Sequence, residues 1–86
     1  MSKTLEKVGT VSHFFSKISV AVVELTAPLK VGETIAIKGM TTNFEQTVDS
    51  MQIEHEAVDE AKKGDSIGLK VKERVREGDI VYRIKD

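Results

Sequence analysis

Val31-Gly32-Glu33-Thr34-Ile35-Ala36-Ile37 returns in outline twice more along the chain, as Lys63-Gly64-Asp65-Ser66-Ile67-Gly68-Leu69 and as Glu77-Gly78-Asp79-Ile80-Val81-Tyr82. Each copy is a glycine, an acid and an alternating run. Glycine supplies the positive φ that a tight turn needs, and the period-2 residues behind it mark a strand with one buried face. Three such units predict an all-β chain. The spacings between the three glycines differ widely, so this is not a solenoid repeat. The third copy also shifts phase. After Gly78 the apolar residues are Ile80, Tyr82 and Ile84, and that strand is expected to turn its other parity inward.

Outward from these units, Val8 to Phe14 alternates well enough for a first strand, with Met1 to Lys7 as a frayed lead-in. Ile18 to Leu25 is rich in β-branched residues and is the strongest strand signal, with Val20 and Val22 directed inward. Pro28 cannot donate a ladder hydrogen bond, so Thr26 to Lys30 is expected to be irregular. Gly39 to Asn43 reads as a hairpin connection. Beyond it, Phe44 to Glu54 is extended, with a bulge near Asp49-Ser50 because Val48, Met51 and Ile53 do not share one parity. Glu56 to Lys63 has the composition of a short helical turn or plain loop that stops at Gly64. The core predicted from these parities is Val11, Val20, Val22, Ile35, Ile37, Ile67 and Leu69.

The chain has 86 residues, enough for one domain with a modest core and too few for a deep, enclosed active site. A net charge of −1 argues against binding nucleic acid by bulk charge, although a local basic face is compatible with it. There is no cysteine, hence no disulfide framework and no thiolate metal site. No stretch approaches the roughly 20 apolar residues of a membrane span, and the N-terminus lacks a secretory apolar core. A soluble, cytoplasmic protein is expected.

The order of pieces resembles a known family. Gly9-Thr10-Val11, Leu29 to Ile37, Val48 to Ile53, Ala61 to Leu69 and Glu77 to Val81 together are similar to the second-domain β barrel of translational GTPases such as elongation factor Tu. The similarity covers nearly the whole chain. It implies a six- to seven-stranded antiparallel barrel, closed or nearly closed, which in the elongation factors packs against the GTPase domain and helps hold aminoacyl-tRNA. A similar barrel stands at the C-terminus of collagenase-like peptidases, as an accessory to a separate catalytic domain. The first hairpin departs from the translational pattern, carrying His13-Phe14-Phe15-Ser16 where that family usually has a glycine. The chain also lacks any Gly-x-x-x-x-Gly-Lys-Ser/Thr, so no phosphate nest and no bound nucleotide are expected.

Two clusters carry candidate chemistry. Glu54-His55-Glu56, with Asp59 and Glu60 nearby, sets an imidazole among carboxylates, the ingredients of a metal or general-base site. The spacing matches no ligand pattern, and a solvated acidic loop accounts for it, so no metal, no cofactor and no catalytic residue are assigned. Lys70-Val71-Lys72-Glu73-Arg74-Val75-Arg76, if extended, sets Lys70, Lys72, Arg74 and Arg76 on one face and Val71 and Val75 on the other. Such a stripe suits RNA phosphates or an acidic protein surface. It equally suits an ordinary solvated exterior partly offset by Glu73 and Glu77. Of the adjacent Phe14 and Phe15, one should point inward and the other outward. Thr41-Thr42-Asn43 reads either as a contact loop or as simple turn chemistry.

The sequence therefore predicts one all-β barrel domain over residues 1–86, non-enzymatic and built for binding. Its expected role is an elongation-factor-like accessory contacting RNA or the translation machinery through Lys70, Lys72, Arg74 and Arg76. The alternative is a protein-interaction barrel working with a separate peptidase or modifying enzyme. Neither reading involves a membrane.

Overall fold

The three glycine turns fold alike, and they set the register of everything else. In the computed structural model, which describes residues 4–85, Gly32, Gly64 and Gly78 have φ of 96°, 92° and 93°. At each turn the acid after the glycine closes a reciprocal pair of hydrogen bonds with the basic residue three positions before it. The backbone N–H of Lys30 donates to Glu33 Oε1 at 2.7 Å, that of Lys62 to Asp65 Oδ2 at 2.8 Å, and that of Arg76 to Asp79 Oδ2 at 2.9 Å. In return the N–H groups of Glu33, Asp65 and Asp79 donate to the carbonyls of Lys30, Lys62 and Arg76. The acid is thus part of the turn, capturing a backbone donor that the turn would otherwise leave open.

Ten strands result: β1 (Thr4–Phe15), β2 (Val20–Leu25), β3 (Leu29–Lys30), β4 (Thr34–Lys38), β5 (Asn43–Thr47), β6 (Met51–Ile53), β7 (Glu56–Val58), β8 (Glu60–Ala61), β9 (Ser66–Lys70) and β10 (Ile80–Lys85). Eight form one antiparallel sheet in the order β5-β4-β10-β1-β2-β9-β6-β7, and β3 pairs with β8. Of the closed or nearly closed barrel of six to seven strands that was expected, the closed form is not found: among the described residues the backbone ladder does not close on itself, and the main sheet has eight strands. Instead, the carboxamide of Gln46 on β5 reaches the chain just beyond β9. Its Nε2 donates to the Lys70 carbonyl, its Oε1 accepts from the Lys72 N–H, and both bonds are 2.9 Å. A side-chain amide here imitates the donor and acceptor of a peptide unit.

Several local expectations change. Thr4 to Lys7 is not a lead-in but part of β1, paired with Lys85 to Tyr82 of β10; Met1 to Lys3 lie outside the described residues. Glu56 to Ala61 is extended rather than helical, and no helix long and apolar enough to cross a membrane occurs among the described residues. In place of the bulge expected near Asp49-Ser50, the extended segment is divided into two strands, β5 ending at Thr47 and β6 beginning at Met51.

The core is made by residues on the inward parity of each strand. Val11, Ile35, Ile37, Ile67 and Leu69 are buried as predicted, together with Val8, Leu29, Met51 and Val81. Val20 and Val22 are not core: Ala21 and Val23 take their place, opposite Leu69 and Ile67 of β9. An uninterrupted Val-Ala-Val-Val run carries no alternation to read, and the bulge between Val11 and His13 of β1 shifts the pairing that decides its parity.

The third turn unit is likewise in phase with the other two. The inward residues three and five after Gly78 are Val81 and Arg83, as Ile35 and Ile37 are after Gly32. Ile80, Tyr82 and Ile84 are only half-buried. Arg83 occupies an inward position because its guanidinium leaves the core at the sheet's end, lying 3.4 Å from Glu33 and 3.7 Å from Glu6 and donating to the Pro28 carbonyl. An arginine can bury its stem and still place its head among carboxylates.

Candidate functional site

The basic stretch follows β9 directly, and its geometry is the one the alternation predicts. Val71 and Val75 are buried at 2% and 1% exposure, while Lys70, Lys72, Arg74 and Arg76 are all exposed. The backbone is fixed from several sides. Val71 donates to the Ser19 carbonyl, Lys72 to Gln46, and Arg76 to Asp79. Two buried valines and three anchored amides hold the cations at set positions although the stretch beyond Lys70 is not itself a strand.

The acids within the stretch do not neutralise it. Glu77 sits 3.4 Å from His13 Nδ1, and among the described residues the side chains of Lys70, Lys72, Arg74 and Arg76 enter no ion pair. The four cations are therefore displayed to solvent, with the half-buried Phe14 beside Arg74 and Arg76. A displayed row of this kind attracts an anionic surface at long range, and salt weakens the attraction.

The histidine cluster is placed differently. Glu54 and His55 form the two-residue tip of the β6–β7 hairpin, with φ of 51° and 67°, and both are exposed. Among the described residues no group of three or more His, Asp or Glu side chains converges as a metal site would require. Thr41 and Thr42 belong to the β4–β5 hairpin, where the Thr42 carbonyl accepts from Gly39 at 2.7 Å.

A second surface was not legible as a site. With Ala21 and Val23 inward, Val20 and Val22 point outward from β2, next to Phe15 and Ile18 at 47% and 57% exposure. Phe15 meets the His13 ring edge-on, with centroids 4.4 Å apart. These residues and Gly68 border a groove of about 250 Å³ that ends at Glu54, His55 and Ser66. Two sequence signals could have located it: a glycine at the centre of a strand, and a valine run with both parities apolar.

No family model matches the chain. The sequence is 49% identical over 81 residues to an uncharacterized protease of Methanocaldococcus jannaschii, taking in 93% of this chain and 20% of that protein. The chain is similar to one portion of a protease. A collagenase of Porphyromonas gingivalis matches at 38% identity over 78 residues, 88% of this chain and 22% of the collagenase. The chain thus spans about a fifth of the length of these curated relatives.

Among solved structures, the C-terminal domain of a Geobacillus thermoleovorans protein described as a U32 peptidase aligns with a TM-score of 0.85 at 20% identity, over 94% of this chain and 93% of that one. Its selenomethionine variant aligns with a TM-score of 0.84, over 88% and 96%. At that identity the likeness establishes the fold. These relatives are peptidases and collagenases, not translation factors, and this corrects the expectation of an elongation-factor-like translation protein. The peptidase resemblance, which the sequence offered as the alternative, is the one the comparisons support.

Proposed function

We propose that this chain is a non-catalytic interaction domain that serves a separate peptidase module, and that Lys70, Lys72, Arg74 and Arg76 meet an acidic surface of that module. The observation that carries the reading is the match of nearly the entire chain to about a fifth of a protease. The basic row, whose side chains enter no ion pair among the described residues, adds a surface of defined charge, anchored through Val71 and Val75 to the core. Opposite charges across an interface speed encounter and select partners, which suits a module that must find its own enzyme.

The test uses the Methanocaldococcus protease produced without the portion that matches this chain. Added separately, this chain should bind the truncated protease in a titration calorimeter, and the Lys72→Glu, Arg74→Glu double variant should not. The chain alone should leave labelled casein intact. Casein cleavage by the chain alone would defeat the non-catalytic reading. Absent binding, or binding that survives charge reversal, removes the basic row from the proposal. Capture of transfer RNA in place of the protease would make the row a nucleic-acid contact instead.

A further inference from the structure

The groove beside Gly68 lies on the outer face of the sheet, away from the core, where antiparallel strands ordinarily show polar residues. Here the outer positions of β2 are Val20 and Val22, flanked by Phe15 and Ile18 from the β1–β2 hairpin. Single exposed apolar residues are unremarkable, whereas a contiguous group lining one depression marks a contact surface.

Gly68 is the decisive residue. It sits in the middle of β9, paired with Val22 on one side and Gln52 on the other. Glycine weakens a strand interior, so its presence there often marks a bulge, a tight bend or a site where a ligand or another backbone approaches closely. No bulge occurs at Gly68, its φ is not positive, and a Cβ built on it would stand 3.5 Å from Val20 Cγ1, an ordinary contact. The fold itself would accept a Cβ at this position. What a side chain at position 68 would remove is the open floor of the groove.

The ends of the groove differ in charge. At one end Glu54 borders it, and the Ser66 hydroxyl donates to the Glu24 carboxylate beside it. At the other end Lys70 pairs with Val20. We infer that this face docks a short extended peptide segment that lays a large apolar side chain over Gly68 and a lysine or arginine against Glu24 and Glu54. The inference rests on the reading of the chain as an interaction domain, and Lys72, Arg74 and Arg76 of the basic row do not line the groove.

The experiment measures fluorescence anisotropy with two labelled Gly/Ser-rich peptides, one carrying Lys-Lys-Phe-Leu and the other Glu-Glu-Phe-Leu. The wild-type chain should bind the lysine peptide and bind the glutamate peptide several-fold more weakly. Gly68→Val, which fills the floor, and Ile18→Ser, which removes an exposed wall, should each abolish binding while the thermal midpoint stays at or near that of the wild type. Ile18 is more than half exposed, so its variant keeps the test valid even if Gly68→Val perturbs the strand. No binding by the wild type at millimolar peptide, equal binding of the two peptides, or full binding by Ile18→Ser would each overturn the inference. None of these results depends on whether the basic row binds a protease.

Discussion

The Asp79 carboxylate occupies the space where a side chain on Gly39 would begin. A Cβ built on Gly39 meets the Asp79 carboxyl carbon at 2.6 Å, and the same carboxylate accepts the Arg76 N–H at 2.9 Å. The end of β4 and the turn before β10 are therefore interlocked through one buried acid, exposed by only 5%. Gly39→Ala must push that acid off its donor. The expected loss is about 1–3 kcal/mol, the range for overpacking a filled site, read as a shift in the urea midpoint with the slope unchanged.

Gly64→Ala isolates a different effect. Nothing lies within 4 Å of a Cβ placed there, so any loss comes from the positive φ alone. Such a conformation costs an L-residue about 1–2 kcal/mol. The same chemical denaturation series should show that loss, and Gly64→Asn should recover part of it because asparagine tolerates the left-handed region.

The inward parity of β2 and β10 is open to a paired comparison. Val23→Ala and Val81→Ala each leave a void in the core, and both residues are fully buried. Val22→Ala and Ile84→Ala lie on the half-buried side. Removing buried methyl groups costs roughly 0.8 kcal/mol each before the cavity adds more, so the first pair should lower the thermal midpoint well beyond the second. Equal losses in both pairs would restore the parity read from hydrophobicity alone.

That comparison also shows what was legible in the sequence. The turn motif fixed β4 and β9 correctly because Ile35, Ile37, Ile67 and Leu69 alternate with polar or small neighbours. It failed at β10 because Ile80, Tyr82 and Ile84 outnumber Val81 and Arg83 in apolar character, and only the turn geometry reveals that Arg83 is the inward residue. The basic row was readable because Val71 and Val75 mark its buried side. The groove was not, since its walls come from the β1–β2 and β6–β7 hairpins and its floor from β2 and β9. Adjacency of that kind follows from strand order, which no local period encodes.

The Glu54-His55 tip holds two non-glycine residues at positive φ, a geometry that two-residue hairpins usually assign to asparagine and glycine. His55→Gly should therefore stabilise the chain by about 1 kcal/mol. Differential scanning calorimetry would register the higher midpoint.

The Gln46 bridge makes one edge of the molecule its most easily breached point. Neighbouring strands elsewhere are held by successive backbone bonds that must break together, whereas the seam between β5 and the end of β9 is spanned by two bonds to a single rotatable carboxamide. One side-chain rotation releases both. Proton exchange at the Lys72 amide will then report local breathing of the seam rather than unfolding of the whole, and in Gln46→Ala that amide will trade its proton with solvent faster while amides in the middle of β1 keep their rates.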